Sequence, residues 1–249
     1  MTQKPLILAV ETSGRTGSAA LAIGKQILAE TELFTPMKHS AEIFPAVCSL
    51  LDRFNRKSEE IEHIYISIGP GSFTGLRIAT TLAKIMHLTN AVKIVAVDSL
   101  DCIAANVIDL TRETSSRKSQ TTTYERIAVI LDAKRSQFFV AVYEKQATNN
   151  EVWKKVFPDS LITASQFIDI FVDKDHPIQI LGEGLVYYKD KFKAEGTEFF
   201  DKKHWLPKAK NVHLLGWEMA LADQFANPLG LTPNYLRRPD AKVERKLIK

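Results

Sequence analysis

The chain carries one pattern twice, 121 residues apart. Leu6-Ile7-Leu8-Ala9-Val10-Glu11-Thr12 is an apolar run ending in an acid and a small residue. Ile127-Ala128-Val129-Ile130-Leu131-Asp132-Ala133 restates it. Each copy continues through a short turn with a basic residue (Arg15; Lys134-Arg135) into a second strand-like stretch, Ser18 to Ile23 and Gln137 to Tyr143. A second echo follows in the same order, with Gln179-Ile180-Leu181-Gly182-Glu183-Gly184 answering Ser67-Ile68-Gly69-Pro70-Gly71. A duplication of this size implies two copies of one β-meander plus α/β unit, and it bounds every other reading of the fold.

The elements around the repeat follow from residue spacing. Leu6 to Val10, Ser18 to Ile23 and Gln26 to Phe34, parted by turn residues, predict an antiparallel meander of three strands. Ile43, Phe44, Val47, Leu50, Leu51 and Phe54 recur at helical spacing. Pro45 is expected in the first turn of that helix, because an interior proline removes a hydrogen bond and crowds the preceding turn. His63 to Ile68 reads as a strand, Gly69 to Gly75 as a loop, and Leu76, Ala79, Leu82, Ala83 and Met86 as the next helix. Lys93 to Val97 is a further strand, and Ser99 is expected to cap a short helix reaching about Leu110. Thr111 to Thr123 has no apolar residue and reads as an exposed linker. The expected organisation is an N-terminal lobe over 1–110, a linker over 111–124, a C-terminal lobe over 125–236 with room for return packing on the first lobe, and a basic tail over 237–249.

Composition excludes several classes. With 249 residues, 45% hydrophobic and 25% charged, the chain has the make-up of a globular protein with a sizeable core. No apolar run approaches the roughly 20 residues of a membrane helix. The opening Met1 to Pro5 leads directly into a strand-like run, and Cys48 and Cys102 sit in apolar-periodic segments like buried hydrophobes of a reducing compartment. A cytoplasmic location without membrane contact is expected. The net charge of +4 comes from Arg237 to Lys249, with six basic and two acidic residues, while the rest of the chain carries 27 of each sign. That tail is read as a solvated end, although it has the charge to touch phosphates.

Two lobes of this kind point to the actin, sugar-kinase and Hsp70-like architecture, an α/β fold with a ribonuclease H-like sheet in each lobe. In that architecture the first hairpin of each lobe faces a nucleotide, an acid ending the first strand serves Mg²⁺, and the hairpin turns offer N–H groups to phosphates. Glu11 and Asp132 occupy those two places, with Thr12, Ser13 and Arg135 beside them. Gly69, Gly71, Ser72, Thr74 and Gly75 form a strand–turn–helix junction where an anion would be welcome. Gly71 and Gly75 permit close approach or positive φ, and Ser72 or Thr74 can cap the helix. The loop is not a P-loop, because no Gly-Lys-Ser/Thr follows. As a dinucleotide fingerprint it is one residue out, although Asp98 follows the next strand where a ribose-binding acid would lie. A purely structural role for the loop stays open.

The same residues carry a family resemblance. Gly69-Pro70-Gly71-Ser72-Phe73-Thr74-Gly75-Leu76-Arg77-Ile78 closely resembles the hallmark of the TsaB (YeaZ) proteins. Leu8 to Ser13 resembles their opening strand, His39-Ser40-Ala41-Glu42 with Pro45 the start of their first helix, Asp132 to Arg135 their second-lobe turn, and Asn234 to Arg237 their close. Glu11 stands where aspartate is common, and Ala79 where glycine often follows the Arg-Ile pair.

The resemblance implies a scaffold subunit with no catalytic residues and no metal site of its own. It would pair with the TsaD paralogue, which transfers a threonylcarbamoyl group to the adenosine beside the tRNA anticodon. TsaD holds a metal on two histidines four apart; here the histidines at 39, 63, 87, 176, 204 and 213 form no such pair. The resemblance further implies a homodimer when the chain is alone, a small TsaE-like ATPase as another partner, and ATP or ADP and the metal on partner subunits, with none tightly bound here. Whether this chain touches the tRNA itself is left open. His39, Ser40, Glu42, Phe44, Leu51 and Arg77 are the expected interface residues, Phe44 and Leu51 because they edge beyond the stripe that one sheet requires. Arg77, in the first helical turn where a cation meets the positive end of the dipole, is expected to pair with Glu11 or Asp98 in its own lobe, or with a carboxylate or phosphate across the interface. Two rival functions are an active ATP-dependent kinase or acyltransferase of the same fold, and a dinucleotide-dependent oxidoreductase.

Overall fold

The computed structural model describes residues 4–33, 39–114, 124–146 and 153–237. The first lobe runs β1 (Leu6–Glu11), β2 (Ser18–Ile23), β3 (Gln26–Glu32), α1 (His39–Arg53), β4 (Ile61–Ser67), α2 (Phe73–Asn90), β5 (Lys93–Val97) and α3 (Ser99–Thr114). The second runs β6 (Arg126–Asp132), β7 (Gln137–Lys145), β8 (Trp153–Thr163), α4 (Ala164–Phe171), β9 (Ile178–Leu181), the one-turn α5 (Leu185–Tyr188), β10 (Thr197–Phe199) and α6 (Ala209–Leu221).

The repeat in the sequence is a repeat of topology. The first sheet has the order β3-β2-β1-β4-β5, and the second, read the same way, β8-β7-β6-β9-β10. In each, the first three strands form an antiparallel meander and the last two add in parallel. The fold is thus two ribonuclease H-like units in the two-lobed, actin-like arrangement. Each central strand is covered on both faces, so β1 and β6 read as unbroken apolar runs. An all-parallel dinucleotide sheet is excluded by the two meanders.

Helices stitch the lobes together. Leu100, Ile103, Ala104 and Val107 of α3 enter the core of the second sheet, while Cys102 on the same helix faces the first. α6 returns in the opposite sense, burying Ala209 and Val212 on the first sheet. Asn211 Nδ2 donates to the Cys102 carbonyl and to Asn106 Oδ1, both at 2.8 Å, closing the joint between these helices.

Local chemistry explains the ends. Ser72 caps α2 by accepting from Gly75 N at 3.3 Å, and Ala91 closes it in a left-handed conformation. Thr163 and Gln166 form a reciprocal capping box at the start of α4.

Three expectations change. Pro45 is the seventh residue of α1 and not in its first turn. It is tolerated because Pro45 and Ala41, whose carbonyl loses its usual donor, are both exposed to water. The helix expected to stop near Leu110 continues to Thr114, four residues into the stretch read as linker, since polar residues exclude burial and not helix. The third strand ends at Glu32. Residues 115–123 of the linker, Phe34 and residues 238–249 of the tail lie outside the described residues.

Candidate functional site

The two lobes enclose a cleft of about 730 Å³. Each lobe contributes the same two pieces: the turn of its first hairpin (Ser13 to Arg15; Leu131 to Arg135) and the loop after its fourth strand (Gly71 to Arg77; Glu183 and Tyr187). The segment Asn234 to Arg237 lines it as well. The duplication therefore builds the site, since equivalent loops of two equivalent sheets face each other.

The acids at the strand ends are engaged within the protein. Glu11 is fully buried, and its Oε1 accepts from Ser13 N and, at 2.6 Å, from Ser13 Oγ. Burial raises its pKa above the ordinary value, against the lowering pull of Ser13, Ser67 and the Gly14 N–H. Glu11 Oε2 and Ser67 Oγ are buried and complete no hydrogen bond. Asp132 lines the cleft, where it accepts from Lys134 N at 2.7 Å and from Lys134 Nζ at 2.6 Å. Lys134, Arg135 and Ser136 all have left-handed backbone, with φ of 65°, 53° and 58°. Non-glycine residues hold that conformation only where the surroundings impose it. Arg237 helps to do so, donating from Nη1 to the Ala133 and Lys134 carbonyls.

Glu183 was not singled out from the sequence as a site residue, and it is central here. From the second lobe its carboxylate accepts the Arg15 N–H of the first, at 3.0 and 3.2 Å, with the Arg15 guanidinium 3.9 Å away. Burial raises its pKa, offset by the Arg15 N–H and charge. The signal that could have found it is the echo itself, because Gly182-Glu183-Gly184 holds the second-lobe place of Gly69-Pro70-Gly71.

The glycine loop is packed against the first hairpin. A β-carbon at Gly75 would lie 1.8 Å from the Thr12 carbonyl oxygen, and one at Gly71 2.5 Å from that of Ser13. Thr12 Oγ1 donates to the Gly75 carbonyl at 2.8 Å, and Ser72 N to the Ser13 carbonyl at 2.7 Å. Close approach, and not positive φ, is what Gly71 and Gly75 supply; Gly69 has the positive φ, at 112°. Ser13, Gly71, Ser72, Thr74, Arg77, Asp132 and Arg135 thus meet in the cleft, while Glu11, Thr12, Gly69 and Gly75 form the layer behind it.

Within its own chain Arg77 pairs with neither Glu11 nor Asp98. It is the fifth residue of α2, just past the first turn, and its Nε donates to the Tyr235 hydroxyl at 3.1 Å. Its guanidinium lies 3.8 Å over the Phe73 ring, which packs 4.8 Å from Tyr235. Glu11 is held by Ser13 instead, and Asp98 by Lys155 at 3.5 Å. Lys155 also holds Asp101 and Asp159, at 2.6 and 2.8 Å, so Asp98 belongs to an ion-pair cluster between α3 and β8 and not to a ribose site.

A family model for TsaD, tRNA N6-adenosine threonylcarbamoyltransferase, matches residues 34–227. The tRNA threonylcarbamoyladenosine biosynthesis protein TsaB of Bacillus subtilis (strain 168) is 30% identical over 241 residues, covering 96% of both chains. The chain belongs to the TsaB family. Its match to the TsaD model places both within one larger family. TsaB of Escherichia coli (strain K12) is 24% identical over 231 residues, 93% of this chain and 94% of that protein. The solved YeaZ structure from Pseudomonas aeruginosa superposes with a TM-score of 0.73 at 21% identity, over 93% of this chain and all of that one, which shows the fold.

Outside the cleft, this TsaB-family chain presents a second feature on α1 and α2. Ile43 and Leu50 are buried against the first sheet, with Val47 and Phe54 partly so. Phe44 is 55% exposed on the outer face of α1, and Ile85 and Leu88 are 47% and 79% exposed on α2. Leu51, expected beside Phe44 on that face, is only 6% exposed and belongs to the core, because the α1 stripe is wider than its spacing alone indicates. Ile85 and Leu88 fall off the buried stripe of α2. Glu42 lies half-buried in the first turn of α1, a favourable place for an acid. His39 and Ser40 begin that helix, and their side chains lie outside the described residues.

Proposed function

We propose that this chain is a non-catalytic subunit of the machinery that makes threonylcarbamoyladenosine in tRNA, working in the cytoplasm as the partner of a TsaD-like paralogue. The observation that carries the reading is Glu183 on the Arg15 N–H. In an actin-like fold that turn is where a nucleotide phosphate would be received, and here the protein's own carboxylate takes the place. Asp132 does the same for the Lys134 N–H of the second hairpin, and the buried Glu11 is turned onto Ser13. With Glu183 on the Arg15 N–H and Asp132 on the Lys134 N–H, neither hairpin turn offers a nucleotide phosphate these donors, which favours a cleft kept for structure over one kept for turnover. Among the described residues no group of three or more His, Cys, Asp and Glu is arranged to hold a metal.

The exposed apolar residues of α1 and α2 supply what a scaffold needs. Phe44, Ile85 and Leu88 are large hydrophobes left in water on helices whose other faces already cover the sheet. Large apolar residues left exposed on these two helices suit an isologous homodimer when the chain is alone, and a heterodimer when a paralogue of the same fold replaces one copy. ATP or ADP and the metal then belong to partner subunits, including a small TsaE-like ATPase. No described helix is long and apolar enough to cross a membrane.

Co-purification with the TsaD-like paralogue, alongside ATP hydrolysis by the isolated chain, tests the proposal. A stable complex and no appreciable turnover are expected. Turnover by the isolated chain that Glu11→Ala abolishes would contradict it.

A further inference from the structure

We propose that the mouth of the inter-lobe cleft binds unpaired RNA, through two arginine–aromatic pairs set among a surplus of cations. The first pair is Arg77 over Phe73 at 3.8 Å, extended by Tyr235, whose ring packs on Phe73 and whose hydroxyl accepts from Arg77. The second is Arg15 over Tyr187 at 5.0 Å, and Tyr187 is 61% exposed. All five residues line the same cleft.

Charge is concentrated there as well. The lining includes five cations, Arg15, Arg77, Lys134, Arg135 and Arg237, against two acids, Asp132 and Glu183, a surplus of three. Without Arg237 the lining still nets two positive charges, in a stretch of chain that nets zero, so this is a local accumulation and not a share of a general excess.

The chemistry that matches is a phosphate backbone carrying bases whose flat faces are open. Guanidinium groups serve both parts, attracting phosphate and stacking on π-faces. An exposed tyrosine in a basic cleft offers a stacking surface that a duplex, with its bases stacked internally, cannot use. An acidic protein surface would answer to the cations and leave the aromatic faces without a role. The inference rests on the tRNA-modification reading for the source of the RNA, which would be the unpaired part of the substrate. It concerns the cleft mouth, distinct from the α1 and α2 face through which the paralogue is proposed to bind.

Fluorescence anisotropy of the full chain with a labelled RNA stem–loop, a fully paired RNA of equal length and poly-glutamate tests this directly. The stem–loop should bind more tightly than the duplex, and poly-glutamate more weakly than either. Tyr187→Ala should weaken stem–loop binding roughly fivefold or more, the loss of one stacked base, and leave duplex binding unchanged. Melting of wild type and variant, measured beside it, should agree because Tyr187 is largely exposed. No binding, equal binding to stem–loop and poly-glutamate, or a Tyr187→Ala protein that is folded and binds as wild type would each overturn the inference. None of these results would touch the scaffold reading, which stands or falls on complex formation with the paralogue.

Discussion

Glu183 and Arg15 are 168 residues apart in sequence and joined across the cleft, the carboxylate of one lobe accepting the backbone N–H of the other at 3.0 Å. The bond ties the lobes where an actin-like enzyme would need them to part around a nucleotide. Glu183→Ala leaves that partly buried N–H without its acceptor, which costs about 1–3 kcal/mol. Urea denaturation should show this loss, with Glu183→Gln, which keeps an acceptor oxygen, losing less. An unchanged midpoint for the alanine variant would mean that the tie contributes nothing.

Gly75→Ala tests the packing reading of the glycine loop. Its β-carbon meets a backbone carbonyl at 1.8 Å, so α2 must shift or the first hairpin must open. The expected loss is on the order of 3–5 kcal/mol, in the range of the severe single substitutions. Gly230→Ala is the control, because a β-carbon there approaches nothing closer than 3.9 Å. Its stability should change by no more than about 0.5 kcal/mol. A stable, soluble Gly75→Ala protein would show that the loop has slack.

His213 makes stability depend on pH. Its ring is buried between α6 and the first sheet, stacked on Tyr65, with Nε2 on the Lys25 carbonyl and Nδ1 without a partner. Burial lowers its pKa below the ordinary 6.5. The unfolded chain therefore takes up this proton first as pH falls. The stability that the neutral ring confers is full above about 6.5 and is lost as pH drops toward the folded-state value. Thermal melts between neutral and mildly acidic pH should show a declining midpoint, and His213→Phe should decline less steeply. His63 and His204, also lowered by burial, leave a residual slope in the variant. Parallel curves for both proteins would remove His213 from the account.

The topology was legible because the repeated apolar runs and their terminal acids are local patterns, and two matching halves imply two matching sheets. The cleft was legible in part for the same reason, since Ser13, Asp132 and the glycine loop stand at equivalent strand ends. What could not be read is set by long-range geometry. Tyr187 and Tyr235 matter only because chain segments far apart in sequence converge, and no local spacing announces it; for Glu183 the echo marks the place, and only the fold shows that it reaches Arg15. Leu51 and Phe44 sit on adjoining faces of one helix, and only the neighbouring elements decide which is covered. Pro45 went wrong because the rule against interior proline holds where the freed carbonyl is buried, and here it faces water.

Phe44 and Leu51 now serve as a matched pair. Leu51→Ala removes buried core volume and should cost about 2–5 kcal/mol in a denaturation experiment. Phe44→Asp changes an exposed residue and should leave the isolated chain folded, while size-exclusion chromatography shows a monomer that no longer captures the paralogue. A destabilised Phe44→Asp protein, or one that still forms the complex, would move the interface elsewhere.

The claim that this chain works by its surface and not by its cleft acids is tested most directly by threonylcarbamoylation of tRNA in a reconstituted system. The TsaD-like paralogue and the remaining subunits would be combined with wild type, Phe44→Asp or Asp132→Ala. Asp132→Ala should support modification at close to the wild-type rate, and Phe44→Asp, although folded, should support almost none. Loss of modification with Asp132→Ala and full activity with Phe44→Asp would contradict it, and would make the cleft a working catalytic site.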